Sequence, residues 1–230
     1  MQGKLDLLLK KYSVDENAEL VGKCGVKIGG DIIPLLPFES ERRFFELRQL
    51  VLNRRVGNLS TYRIGHTAKR GEDIFALLWR ELGVLEYTTD SKVTEIFAIA
   101  GKNTLNAIAE TDKGCVCTLE LACTLEEGCG DIDKHEIITD NGIACDRVVD
   151  TQVPQSSIYV YGKENKSYTD VDSELYGLSE GDVSVIRNAF AVAKSAELKK
   201  HNKDVAAHLD ELVLCAKKSI ETLENIKLGG

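Results

Sequence analysis

Period-two alternation of apolar and polar residues dominates the middle of the chain. It runs through VTEIFAIAG (93–101), TLNAIAET (104–111), GCVCTLELACTL (114–125), HEIITD (135–140), GIACDRVV (142–149) and SSIYVYG (156–162). Each segment is short and bounded by turn residues, which predicts β-strands. The KN, TDKG and DNG junctions predict tight hairpins, so neighbouring strands in this block are antiparallel. In 114–125 one face carries Cys115, Cys117, Leu119, Leu121, Cys123 and Leu125, and the other Val116, Thr118, Glu120, Ala122 and Thr124. In 93–100 the same parity separates Val93, Glu95, Phe97 and Ile99 from Thr94, Ile96, Ala98 and Ala100.

Helical spacing flanks this block. GEDIFALLWRELGVLEY (71–87) places Ile74, Leu77, Leu78, Leu82 and Leu85 on one stripe and Ala76, Arg80 and Gly83 on the opposite side. Residues 38–55 have helical composition and stop at Gly57, and LSTYRIGHT (59–67) follows as a strand. Nearer the N-terminus, SVDENAELVGK (13–23) reads as a short helix with Ser13 as N-cap and Glu16 completing a capping box. GVKIGGDII (25–33) reads as a strand bounded by glycines, and IPLLPF, with two of the three prolines, as a rigid connector. Two helices close the chain, over 180–200 and 204–223.

The order of helices, many antiparallel strands, then helices predicts an α+β fold: one large, mostly antiparallel β-sheet with helices packed on one face. Residues 1–37 form a helix, strand and Pro-rich connector ahead of a main domain over 38–230. The second sheet face is small and mixed rather than strongly charged. Such a face pairs with its own copy across a two-fold axis or stays solvated; the expectation is a homodimer or higher homo-oligomer through it.

Charge and cysteines narrow the functional classes. The formal net charge is -8, from 29 basic and 37 acidic side chains. That disfavours non-specific contact with nucleic acid or an anionic membrane, which rests on excess Lys and Arg. No apolar run is long enough to span a bilayer, and MQGKLDLLLKKYSVDENAEL is a poor signal peptide, so the expected location is cytoplasmic. The seven cysteines are an odd number and scattered, which suits reduced thiols. CVC at 115–117 suggests a metal site, but period-two geometry puts Cys115, Cys117 and Cys123 on a wholly apolar face, where cysteine acts as a small hydrophobe.

Several patterns occur together in order: RRFFELRQLVLNRRVGNLSTYRIGHT, KVTEIFAIAG, ETDKGCVCTLELACTL and the terminal LVLCAKKSIETLENIKL. From about residue 9 onward the chain resembles the C-terminal domain of the glucose–fructose oxidoreductase/inositol dehydrogenase (Gfo/Idh/MocA) family. The resemblance implies a two-domain enzyme type, with an N-terminal Rossmann domain for NAD or NADP and a C-terminal domain for the substrate and the oligomer contacts. KKYSVDENAELVGKCGVKIGGDII resembles only the end of that first domain. The glycines of GKCGVKIGGD lack the G-x-G-x-x-G spacing and a following helix N-terminus to receive a pyrophosphate, so they read as turns.

The resemblance also places GEDIFALLWRELGVLEY on a family helix with the pattern D-x-G-x-H-x-x-D, whose Asp and His face the substrate one turn apart. Here those positions hold Ala76, Arg80 and Gly83. Arginine stays protonated and cannot act as the base, although it binds anions. The other reading of Arg80 is a solvated side chain on the outer side of the helix. The family's catalytic lysine falls near Lys11, flanked by Lys10 and Tyr12, where a surface charge is the alternative. His66 ends a strand on the substrate side. The candidate ligand pocket is therefore Arg80, His66 and Lys11, with no catalytic, cofactor-binding or metal residue assigned; His135, His201 and His208 show no partners at metal-ligand spacing.

Two functional readings follow, with a free-standing enzyme of other chemistry as a third behind them. The first is a non-catalytic oligomerising or ligand-binding protein on an oxidoreductase-type fold, without cofactor. The second is the substrate-domain part of a split or truncated NAD(P)-dependent sugar or polyol oxidoreductase, with a separate Rossmann-domain partner supplying NAD or NADP.

Overall fold

The computed structural model describes residues 1–146, 157–162, 166–169, 175 and 177–228. The chain divides into two compact units, Met1–Arg42 with Val171–His208 and Arg43–Asp170 with Leu209–Gly230. The sequence boundary drawn after residue 37 thus meets a first unit that ends at Arg42 and also takes a later segment. Among the described residues no helix is long and apolar enough to cross a membrane.

The first unit begins with α1 (Gln2–Lys11), whose Leu5, Leu8 and Leu9 are buried at helical spacing. Residues 13–23 do not form the expected helix. Ser13 takes a left-handed conformation (φ 51°) instead of capping, and Ala18–Val21 is a strand, β1. Its pairing with β2 (Gly25–Ile28) across the Gly22–Cys24 turn outweighs the local capping signal. The single strand expected over 25–33 is a hairpin of β2 and β3 (Asp31–Pro34). Gly29 and Gly30 turn it, both at positive φ, which side chains disfavour.

The proline-flanked connector continues into a short 3-10 turn, Pro37–Ser40. A buried amide network pins it. Asn188 Oδ1, on α4 (Glu180–Lys194), accepts from Leu36 N at 3.0 Å and from Asn202 Nδ2 at 3.1 Å, and Asn202 Nδ2 also donates to Pro34 O at 2.8 Å. α4 packs on α1 and on β1 and β2, enclosing Val26, Ile186, Ala189 and Val192.

The two C-terminal helices meet earlier than their composition suggests. α4 stops at Lys194, and α5 (Ala196–Thr222) runs on unbroken through the polar stretch 200–204. Ser195 makes the break: it is extended, and its hydroxyl accepts from Leu198 N at 3.2 Å, an N-cap that the apolar periodicity does not reveal.

The second unit contains α2 (Arg42–Leu52) from its second residue onward, α3 (Ile74–Thr89) and a nine-stranded sheet. The strands are β4 (Leu59–Lys69), β5 (Val93–Ala100), β6 (Thr104–Thr111), β7 (Val116–Leu125), β8 (Ile132–Thr139), β9 (Gly142–Cys145), β10 (Ser157–Tyr161), β11 (Lys166–Thr169) and β12 (Ile226–Lys227). Their order is β11-β10-β9-β8-β4-β7-β6-β5-β12, and all pairs are antiparallel except β4 with β7. The sheet is therefore mostly antiparallel, as expected. The parallel pair arises because the chain leaves β4 through the α3 crossover and returns by the β5–β6–β7 meander, whose last strand lies beside β4 in the same direction. The strand expected over 142–149 ends at Cys145, and residues 147–149 lie outside the described residues, as does residue 156.

One face of this sheet is core. Cys115, Cys117, Leu119, Leu121 and Cys123 are all buried on it, which confirms their role as small hydrophobes. On β5 a bulge between Val93 and Glu95 breaks strict parity, so Val93 is buried with Ile96 and Ala98 rather than facing out with Phe97 and Ile99. α3 lies against β4 and β7. The second half of α5 closes the β5 edge, where Ser219 Oγ accepts from Ala98 N at 2.9 Å and donates to Glu224 O at 2.7 Å.

Candidate functional site: a buried ion-pair cluster

β4, β8, α2 and α3 bring their charged residues to one place inside the second unit. On β4 the buried face reads Tyr62, Ile64, His66, Ala68. On β8 it reads Asp133, His135, Ile137. The antiparallel register sets His66 opposite Asp133 and Ile64 opposite His135, so both histidines point to the α3 side. α3 starts at Asp73, whose carboxylate accepts from Phe75 N at 2.9 Å. That start fixes its rotation and carries Glu81 inward, with no exposed surface, among Leu77, Leu78, Leu82 and Leu85.

Glu81 joins two histidines. One carboxylate oxygen accepts from His66 Nδ1 at 2.6 Å and also from the Arg80 guanidinium. The other accepts from His135 Nε2 at 2.8 Å. His135 Nδ1 meets Asp146 Oδ2 at 2.6 Å, and its backbone N–H donates to Asp146 Oδ1 at 2.7 Å. Arg43 then grips Asp133 with both of its terminal nitrogens, at 2.6 and 2.9 Å, and reaches Asp146 at 3.1 Å. Arg80 Nη2 also stands 3.6 Å from Asp133. Phe44 lies edge-on to the His135 ring with centroids 4.7 Å apart, and both arginines stack over it.

The electrostatics follow from these contacts. Burial lowers the His135 pKa, but Asp146 and Glu81 outweigh it and raise it to about 9. With carboxylates on both ring nitrogens, His135 is held as the imidazolium. Burial pushes the Glu81 carboxyl up, and Arg80 and His135 more than offset this, holding it well below the usual carboxylate range. Asp133 is held down in the same way, burial being outweighed by Arg43. Burial raises the Cys115 thiol to about 11 and Cys117 well above its ordinary value, so neither is a ready thiolate. Arg43, Arg80 and His135 thus meet the carboxylates of Glu81, Asp133 and Asp146.

Of the candidate pocket residues, Arg80 and His66 come together, with Arg80 Nη1 3.5 Å from His66 Nδ1. Lys11 belongs to the other unit. It is exposed in the last turn of α1, with Nζ 5.3 Å from the Tyr12 ring centroid, a position where the helix dipole favours a cation. Arg80 is not the solvated outer arginine of the alternative reading, because it is drawn onto the buried Glu81. Gly83, expected beside it on the outer side, is buried. Ala76 alone of the three is exposed.

Sequence reasoning missed Glu81, Arg43, Asp133, His135 and Asp146. One signal was present: a carboxylate at position 81 falls inside the Leu77–Leu78–Leu82 stripe, where an unpaired charge is not tolerated. Among the described residues no group of three or more His, Cys, Asp or Glu is arranged to hold a metal ion. The histidine and carboxylate atoms here are instead spent on one another. Nε2 of His66 is the exception: it is buried and has no hydrogen-bond partner.

No family model matches the sequence, and no curated protein matches it. Solved structures do match. An oxidoreductase from Agrobacterium radiobacter, in complex with NAD+, L-tartaric acid and magnesium, superposes with a TM-score of 0.66 at 11% identity, over 87% of this chain and 66% of that one. An inositol dehydrogenase homolog from Azotobacter vinelandii, complexed with NADH and myo-inositol, gives 0.65 at 6% identity, over 84% and 63%. An oxidoreductase domain protein from Kribbella flavida gives 0.65 at 8% identity, over 85% and 65%. The chain thus spans just under two thirds of the length of these structures. At such identities the likeness is one of fold: over most of its length the chain has the α+β architecture of Gfo/Idh/MocA-type oxidoreductases.

Proposed function

We propose that these 230 residues form a non-catalytic, oligomerising or ligand-binding protein built on the oxidoreductase fold. One observation carries this reading. The residue at the position where the resemblance puts a proton-trading histidine is Arg80, which is engaged by Glu81 and Asp133 and cannot act as a base. The glycines of 22–30 support the same reading, since they turn the β1–β2–β3 meander and lead into a strand rather than a helix N-terminus. The open sheet face supports the oligomer. It exposes Ile99, Ile108, Val116, Ile132 and Ile143, an apolar set that a second copy would cover. The test is a calorimetric titration of the purified chain with NAD and with NADP, in which no binding is expected.

A second reading is the substrate side of a longer or two-chain NAD(P)-dependent sugar or polyol oxidoreductase, working in the cytoplasm. It is favoured by the neighbours solved with NAD+ or NADH and by the partial coverage of their length. Under this reading a Rossmann-domain chain added in trans restores cofactor binding, which the same titration would detect.

A further inference from the structure

We infer that the open sheet face of the second unit docks on a second copy of this chain through two reciprocal ion pairs, Arg63 of each copy against Glu120 of the other, with Ile108 and Gly65 beside the two-fold axis. This pairing deepens the oligomer proposed above and rests on it.

Cross-strand register maps the face. Side chains of one parity along each strand share it, in rows that run across the sheet. On β6, β7 and β4 one row reads Ile108, Thr118, Arg63, and the next reads Asn106, Glu120, Gly65. Arg63 and Glu120 are exposed. Among the described residues neither side chain has an ion-pair or hydrogen-bond partner, whereas Lys134 and Glu136 beside them on β8 pair with each other at 2.7 Å. A cation and an anion thus stand unpaired on a face that also exposes Ile108 and Val116. A self-complementary contact needs one group of each sign, because residue i of one copy meets j of the other and j meets i. A polyanion would instead be repelled by Glu120 and by the exposed Glu110. The positions also fit. Arg63 and Glu120 are one strand and one row apart, on opposite sides of the line from Ile108 to Gly65. A two-fold axis along that line lays Arg63 over the second copy's Glu120, and Glu120 over its Arg63. Ile108 then packs against its own copy. At Gly65 the two backbones approach each other. A Cβ there would meet nothing within 4 Å, and Gly65 is not at positive φ, so nothing in the chain itself asks for glycine. A strand-interior glycine of this kind suits the close approach of another backbone.

The test is the dimer dissociation constant of the full chain by sedimentation equilibrium, for the wild type, Arg63→Glu, Glu120→Arg and the double variant. Each single reversal sets like charges against each other twice in the dimer, so it should weaken association by about tenfold or more. The double variant exchanges the two charges and should return to within about threefold of the wild type. If a variant fails to fold, the salt dependence of the wild type decides. The reciprocal pairs are screened as salt is raised, so dissociation should increase, whereas an apolar contact alone would hold or tighten. A dimer that either single reversal leaves unchanged, that the double variant does not recover, or that salt does not weaken overturns the pairing and leaves the face dimer standing. A wild-type monomer overturns both.

Discussion

Glu81 and His135 are charged residues in positions that pattern reading reserves for leucine and valine. Neither has exposed surface, so each persists only because the other, with Arg80 and Asp146, meets its charge. The pairing makes stability depend on pH. His135 is raised from the ordinary 6.5 to about 9. A group raised on folding contributes stability in full below its unfolded value and loses it as pH rises through the folded value. Unfolding free energy should therefore fall between about pH 6.5 and 9, by at most roughly 3 kcal/mol at 1.36 kcal/mol per unit. Glu81 and Asp133 are depressed, so their contribution is present above the ordinary carboxylate range and is lost as pH falls below it. Urea denaturation at pH 6.5, 7.5 and 9 checks the alkaline limb. A flat profile there would mean that His135 is not held as an imidazolium. Of this cluster the sequence showed only His66 and Arg80. The reason is distance along the chain: Arg43, Glu81, Asp133 and Asp146 gain meaning only when β4 and β8 pair. Arg80 was misread because the helical wheel sets it opposite the leucine stripe, whereas its long side chain turns back onto Glu81.

Elements were more legible than sites, and they failed where two local signals competed. The strands of the second unit follow their period-two pattern closely because one face of the sheet is buried, which penalises any one-residue slip. The segment 13–23 went the other way: Ser13 and Glu16 match a capping box, but Ala18–Val21 gains a paired neighbour in β2. The α4–α5 break was hidden because Ser195 is an ordinary residue in a helical run and acts through its hydroxyl. Gly57, expected to stop the helix over 38–55, lies beyond it, because α2 already ends at Leu52; it makes the turn into β4 instead. Its φ is +97°, and a Cβ there would stand 1.9 Å from Asp140 Oδ1, the atom that accepts from Asn58 N at 2.8 Å. Gly57→Ala is expected to cost about 1–3 kcal/mol, from left-handed backbone strain together with displacement of Asp140. Thermal unfolding of the variant measures it, and an unchanged midpoint would show that the turn relaxes freely.

At the scale of the molecule, each unit has its own core, and the second carries both the ion-pair cluster and an open sheet face. Cross-strand register aligns Phe97, Ile108, Thr118 and Arg63 in one row across that face, with Ile108 51% exposed. A two-fold dimer through this face is the expected solution state. Light scattering should give twice the chain mass, and Ile108→Lys, which replaces one of the exposed apolar side chains of this face with a charge, should shift it to monomer; a wild-type monomer contradicts the dimer. The α+β fold itself could be read from the sequence, because long runs of alternating strands between helical segments admit few architectures. What such a fold does is decided by its site side chains, not by the architecture. The proposed non-catalytic reading rests on those side chains, and calorimetric titration of the purified 230-residue chain with NAD and NADP is its most direct test. The account predicts no binding heat for either nucleotide; saturable binding with a dissociation constant on the order of micromolar, about −8 kcal/mol, would contradict it.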